Sequence, residues 1–201
     1  MLFAAFYKFL DVTGLDWRWL VAYGPRLIMA VFVWLSDEYL YKYTNKRYGS
    51  RMANATWVLY LAHWYVFYAM CRTYSNSLEA IFFFIAFYYW SEERYPLCNL
   101  FIGFAWFCRP TAVLLALVLY LLRPRALISA IPIGLLCISV QVAADSWWYG
   151  NLTITLLNFF HFNVYTGLSG FYGEFAWHWY FTNALPTILT TYLPCFALGM
   201  I

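Results

Sequence analysis

Apolar and polar residues along this chain come in blocks rather than in strict alternation. Apolar runs fall at about 19–36, 53–71, 80–90, 97–122, 126–144 and 185–201, with short polar stretches between them. Several of these approach the roughly 20 residues that a helix needs to cross a bilayer, which predicts an all-α, polytopic membrane protein. Residues 1–10 form a short aromatic, amphipathic segment closed by Gly14. The polar stretches read as connections: DEYLYKYTNKRYGSR at 37–51 as a loop, SEERYP at 91–96 as a turn, and RPR at 123–125 as a basic turn. One stretch breaks the rhythm. Asp145 to Tyr180 is too rich in Gly, Asn and Thr to span cleanly and too aromatic for a solvated linker, so 145–184 reads as an aromatic interfacial loop.

Composition agrees with the pattern. The 201 residues are 65% hydrophobic, 24% aromatic and 10% charged, with a mean hydropathy of +0.63. Soluble domains carry about 25% charged residues, so a soluble globular class is excluded. The abundant Trp and Tyr suit side chains at headgroup level. The net charge of +3 is spread over short connections, with no basic stripe for nucleic acid. The five cysteines show no CxxC spacing and sit mostly in apolar runs, where a thiol behaves as a small hydrophobe. No metal spacing, P-loop, GxGxxG or Ser/His/Asp series occurs, and the N-terminus does not read as a signal peptide.

The 26 residues of 97–122 are long for one crossing and short for two, and Arg109-Pro110 lies in their middle. Charge decides between the readings. If the run turns at Arg109-Pro110, the connections 37–51, 91–96 and 123–125 share one side and hold seven basic residues, Lys42, Lys46, Arg47, Arg51, Arg94, Arg123 and Arg125. The other side then holds only Arg72 and Arg109 after the first span, as the positive-inside rule expects. This topology puts 72–79, Arg109 and 145–184 on the non-cytoplasmic face, with the sequon at Asn151 there too and the one at Asn54 opposite.

Several residues on that face carry candidate chemistry. Arg72, Asn76 and Glu79 are spaced i, i+4, i+7, one face of a helix. Alternatively Asn76 caps the following helix while Glu79 reaches back to it, in which case Arg72 precedes the helix. Glu79 and Arg72 suit pairing with each other or binding an anionic ligand. Arg109 offers a planar fork for phosphate, or else snorkels to headgroups. Asp145 is either a helix-boundary residue or a carboxylate beside a sugar. His178, flanked by Trp177, Trp179 and Tyr180, suits acid–base or phosphate contact as well as interface packing. Tyr172-Gly173 marks a turn with close backbone approach. Trp and Tyr at this density fit stacking on sugars and equally an interface belt.

The stretches RTYSNSLE (72–79), FCRPTA (107–112), DSWWYGNLTITLLNFFHFNV and LSGFYGEFAWHWYFTNALP resemble the dolichyl-phosphate-mannose-dependent α-mannosyltransferases of glycosyltransferase family 22. The resemblance covers essentially the whole chain, including GPRL at 24–27, and within the family it favours the branch that adds the third, α-1,2-linked mannose to the glycosylphosphatidylinositol (GPI) precursor. It implies part of a C-type glycosyltransferase fold in the endoplasmic reticulum membrane, with a luminal site and no cofactor or dissociable metal. Dolichyl-phosphate-mannose would be the donor and a lipid-linked glycan the acceptor. Arg72, Asn76, Glu79, Arg109, Asp145, Tyr172, His178 and Trp179 would then line the donor–acceptor cavity, with Arg109, Arg72 or His178 facing phosphate. The family's catalytic acid lies in an early luminal His-Pro-Asp-Glu-like motif, and none occurs here: Asp11 and Asp16 fall too late, and Asp37-Glu38 falls on the cytoplasmic side. The expectation is therefore a partial chain, lacking the first span, the catalytic loop and later spans, and inactive alone. Two alternatives remain: another family 22 enzyme acting on lipid-linked oligosaccharides, or a different class such as a transporter or non-catalytic scaffold. A transporter predicts an internal repeat, which the chain does not show.

Overall fold

The computed structural model describes residues 2–199; the side chains of Ser169 and Tyr172 lie outside the described residues. The described residues are mostly helical, with no strand among them. They divide into two compact units, residues 1–144 and 145–201.

The first unit is organised around α5 (Ser75–Ser91). One side of it packs on α2 (Arg18–Tyr48), which follows the short α1 (Leu2–Thr13), and there Met29 and Val33 meet Ile81 and Ile85. Its other side meets α6 (Tyr95–Cys108) and α7 (Ala112–Leu122), where Ala86 joins Cys98, Ile102, Ala116 and Leu119. Aromatic contacts extend both seams: Tyr39 lies edge-on to Tyr88 at 5.2 Å, and Tyr89 stacks on Phe101 at 5.6 Å. The order of these contacts shows that α2 and α5 run parallel and that α6 returns antiparallel. The reversal at 92–94 uses Glu93 at φ 60°, and Pro96 opens α6 where its missing N–H is harmless.

The run 97–122 is a helical hairpin. α6 ends at Cys108, Arg109 is extended (φ −156°, ψ 130°), and α7 starts at Ala112. Its far end comes back to the start of α6, because Tyr120 donates to Asn99 Oδ1 at 3.0 Å. The next helix, α8 (Leu127–Tyr149), then runs beside α6: Trp106 Nε1 donates to Gln141 at 2.6 Å, and a Cβ on Gly103 would collide with Cys137. At 14 and 11 residues, α6 and α7 are each shorter than the about 20 of a perpendicular crossing.

Among the described residues two helices are long and apolar enough to cross a bilayer, Arg18–Tyr48 and Pro124–Tyr149, and only 22% and 11% of their most apolar stretches are buried. A soluble core helix of that composition would be mostly covered, so the exposure suits lipid contact. The basic connections gather at one end. Lys46 pairs with Glu92 at 2.6 Å and Arg123 with Glu93 at 3.2 Å.

Three expectations are corrected. Residues 37–48 are not a loop but the end of α2, which continues for 31 residues until Gly49 at φ 85°. Residues 37–48 contain no Gly or Pro to break the helix, and Glu38 supports it by pairing with Lys42 at 3.1 Å. The run 53–71 is two pieces, α3 (Ser50–Ala62) and α4 (Trp64–Ala69), bent at His63 (ψ 117°). The described part of 185–201 is also divided, into α10 (Leu185–Leu189) and α11 (Leu193–Gly199), at Thr190 with φ 46°.

In the second unit the aromatic stretch is built from short helices rather than open loop. α9 (Thr155–Phe160) widens into a π-helical turn, His161–Tyr165, and a second π turn, Tyr180–Ala184, leads into α10. Between them Leu168–Tyr172 form a 3₁₀ turn entered through Gly167 in the left-handed region. π turns are rare and recur at functional sites.

Candidate functional site

The end of the first unit opposite its basic connections holds four of the expected residues. Glu79, one turn into α5, points at the α6–α7 hairpin tip. Its Oε2 lies 3.5 Å from Arg109 NH1, and Thr111 Oγ1 donates to its Oε1 at 3.5 Å. Arg109 reaches this position because the α6 helix stops there and extends its backbone. The Glu79 side chain is nearly enclosed, 12% exposed, while that of Arg109 is 38% exposed. Burial pushes the Glu79 carboxyl above its ordinary value, and Arg109 and the Thr111 hydroxyl pull it back in part. Glu79 takes NH1, and the other guanidinium N–H groups have no hydrogen-bond partner among the described residues, which leaves them available to an anion.

Arg72 occupies the connection before α5, with its guanidinium 3.9 Å from the centre of the Tyr68 ring and NH1 3.4 Å from Tyr74 OH. Ser77 fixes that connection by donating to Ala69 O at 2.9 Å. The capping role for Asn76 is corrected: α5 begins at Ser75 after Tyr74, and Asn76 is exposed and, among the described residues, its side chain accepts only from Ser75 Oγ. The single-face reading of Arg72, Asn76 and Glu79 fails with it, because Arg72 precedes the helix. The pairing of Arg72 with Glu79 is corrected too. Glu79 turns to Arg109 instead, and Arg72 spends its charge on an aromatic face.

In the second unit, Asp145 Oδ2 accepts from Thr155 Oγ1 at 2.5 Å, and Thr153 N–H donates to Ser146 Oγ at 3.0 Å. These two bonds close the connection from the last turn of α8 to α9. His178 is exposed; its carbonyl accepts from Phe181 and Thr182, so its backbone starts the second π turn and its ring meets Trp177 edge-on at 5.9 Å. Trp179 stacks on Phe175 at 4.2 Å. The Tyr172 side chain lies outside the described residues. Among the described residues no group of His, Cys, Asp and Glu could hold a metal ion.

Two polar features escaped the sequence reading. Asn99, 3% exposed, joins three segments: Nδ2 donates to Ala126 O at 2.9 Å and Ser129 Oγ at 2.8 Å, while Oδ1 accepts from Tyr120. Asp37 is buried on the α2 stripe of Met29, Val33 and Ser36, and its Oδ1 has no hydrogen-bond partner among the described residues; the same holds for Tyr60 OH. The i, i+4, i+8 spacing of Met29, Val33 and Asp37 was the available signal. It went unread because 37–51 looked like a loop.

The Alg9-like mannosyltransferase family model matches residues 1–201. The chain is 34% identical to a mannosyltransferase of Arabidopsis thaliana over 100% of its length and 40% of the relative. It is 33% identical to the GPI alpha-1,2-mannosyltransferase 3 of Xenopus laevis over 99% of its length and 40% of that protein. It is 33% identical to the GPI mannosyltransferase 3 of Schizosaccharomyces pombe over 100% and 48%. No solved structure matches. The chain thus spans 40% to 48% of these curated relatives. With a family match over every residue and an all-helical, lipid-facing body, the chain belongs to the Alg9-like mannosyltransferase family.

Proposed function

We propose that this chain forms part of an enzyme of the endoplasmic reticulum membrane that transfers mannose from dolichyl-phosphate-mannose to a GPI-anchor precursor, making an α-1,2 linkage. The observation that carries the reading is the match of the whole chain to relatives named for that linkage. In this reading the acceptor hydroxyl attacks the sugar's anomeric carbon, the bond from that carbon to the phosphate oxygen breaks, and dolichyl phosphate leaves as an anion. A carboxylate must take the hydroxyl proton, and cationic donors must stabilise the departing phosphate.

The Glu79–Arg109–Thr111 cluster suits the second task. Glu79 and the helix end aim the guanidinium, and its free edge presents donors in the geometry of phosphate oxygens. Arg72 adds a second cation, oriented by Tyr68 and Tyr74. His178, Trp179, Tyr172 and Asp145 are assigned to sugar and acceptor contact, for which aromatic and polar side chains are suited. The proton acceptor is left to a carboxylate outside this set, since the family's acidic motif does not occur in the chain.

The test is rescue of surface GPI-anchored proteins in cells deficient in the third mannosylation step, using the complete gene product, with the glycolipid intermediate sized by chromatography. Rescue with addition of one α-mannosidase-sensitive hexose is expected. Normal expression without rescue overturns the reading. Wild-type transfer rates in both Arg109→Ala and His178→Ala overturn the residue assignment while leaving the enzyme reading intact.

A further inference from the structure

The opposite, basic end of the first unit contains a cavity lined by none of the residues assigned above to the transfer reaction. It has a volume of about 250 Å3 and lies where the end of α2, the end of α5 and the residue after α7 converge. Lys46, Arg47 and Arg123 line it together with one carboxylate, Glu92, which leaves an excess of two positive charges on the lining. Each cation is placed differently. Lys46 is compensated by Glu92 at 2.6 Å. Arg47 makes no ion pair among the described residues. Arg123 is immobilised: its guanidinium lies 4.4 Å from the centre of the Trp90 ring, and NH1 reaches Trp90 O and Glu93 Oε1, both at 3.2 Å. Glu93 is 67% exposed, so solvent screens that pair. The other N–H groups of Arg123 have no hydrogen-bond partner among the described residues, which leaves a fixed donor edge beside an uncompensated Arg47.

We propose that this cavity binds the phosphomonoester of an anionic membrane lipid. Three observations select that ligand. The donor set is an oriented guanidinium with two further cations, which suits phosphate oxygens better than a carboxylate-bearing or neutral headgroup. The cavity is smaller than the roughly 300–1,000 Å3 of sites that enclose a drug-sized molecule, so it takes a compact headgroup and not a whole glycolipid. It also sits among Trp90 and Tyr43 at the end that carries the excess of Lys and Arg, which the positive-inside rule places towards the anionic leaflet. A lipid docked there would link the ends of α2, α5 and α7 through one phosphate.

The experiment reconstitutes the full chain and measures binding to vesicles of phosphatidylcholine containing a minority of phosphatidic acid. The comparison vesicles contain phosphatidylserine at equal surface charge. Preferential binding of phosphatidic acid is expected. Arg47→Ala should weaken it about fivefold, the factor that corresponds to about 1 kcal/mol per basic residue near an anionic surface. Arg123→Lys, which keeps the charge and loses the fork, should weaken it by a similar factor. Arg125→Ala removes an equal charge outside the cavity and should change it little. Circular dichroism and thermal melting accompany each variant, and Arg47 makes no ion pair whose loss would unfold the chain. Equal binding to both lipids, or equal losses in Arg125→Ala and Arg47→Ala, would overturn the site in favour of diffuse surface attraction. Displacement of the lipid by inorganic phosphate at matching concentration would overturn the lipid as its occupant.

Discussion

Removing Arg109 should damage the protein more than removing the carboxylate it faces. At 3.5 Å and an effective dielectric of about 20, their attraction is on the order of 5 kcal/mol before desolvation. Most of that is cancelled by the cost of taking the charges out of water, and solvent at the 38% exposed Arg109 side chain screens it further. The asymmetry in exposure survives this discount. Arg109→Ala leaves a nearly enclosed carboxylate with only Thr111, whereas Glu79→Gln leaves a guanidinium that can turn to water. A fully buried unpaired charge costs about 3–5 kcal/mol, so a value of roughly 2–3 kcal/mol is expected for Arg109→Ala and about 1 kcal/mol for Glu79→Gln.

In a chain of this size that is a fall in Tm of roughly 5–10 °C for Arg109→Ala, measured by thermal unfolding in detergent at neutral pH. The double variant should be more stable than Arg109→Ala alone, because no charge is left unpaired. pH provides an independent check. The folded-state pKa of Glu79 lies above its ordinary 4.5, so the folded form holds the proton more tightly and this group costs stability as pH rises through that window. Without Arg109 the upward shift grows. The Arg109→Ala deficit should therefore be largest at neutral pH and shrink as pH falls towards 4.5. Equal effects of the two single variants, a double variant worse than Arg109→Ala, or a deficit that grows on acidification would each refute the reasoning.

Three further outcomes follow from the packing. Asn99→Ala removes three interhelical hydrogen bonds, at about 0.6 kcal/mol each in a membrane protein, and should lower stability by about 2 kcal/mol in the same melt, with Tyr120→Phe contributing roughly a third of it. Gly24→Ala forces a methyl group into the Phe6 ring and should cost about 1–3 kcal/mol, most of it recovered when Phe6 is shortened to Leu. Asp37→Asn removes a buried charge whose Oδ1 has no partner and should leave the melting temperature equal or raised; a clear fall would reveal a cationic partner that the described residues do not supply.

How far these features could be read without the fold depends on their range. The break at Arg109-Pro110 was legible because proline has no N–H and a mid-run arginine is costly, and the basic connections at 91–96 and 123–125 counted themselves onto one side. The helical end of α2 was not legible, because charged residues form helices as well as loops and only Gly49 marks the true stop. The partner of Glu79 was not legible for a similar reason. Arg72 is nearer in sequence, but the helix starts after it and carries Glu79 towards the hairpin tip.

By itself the chain's pattern determined an all-helical membrane body, the places where several runs turn, and which residue types are available for phosphate and sugar. Those follow from local physics: bilayer thickness, backbone hydrogen bonding and the distribution of charge. Tertiary structure alone decided which ions meet. It joined Glu79 to Arg109 across 30 residues, tied Asn99 to the start of α8, buried Asp37, and gathered Lys46, Arg47 and Arg123 around one cavity. Each of these depends on how helices pack side by side, and a pairing between helices leaves no periodic trace in either partner's own sequence.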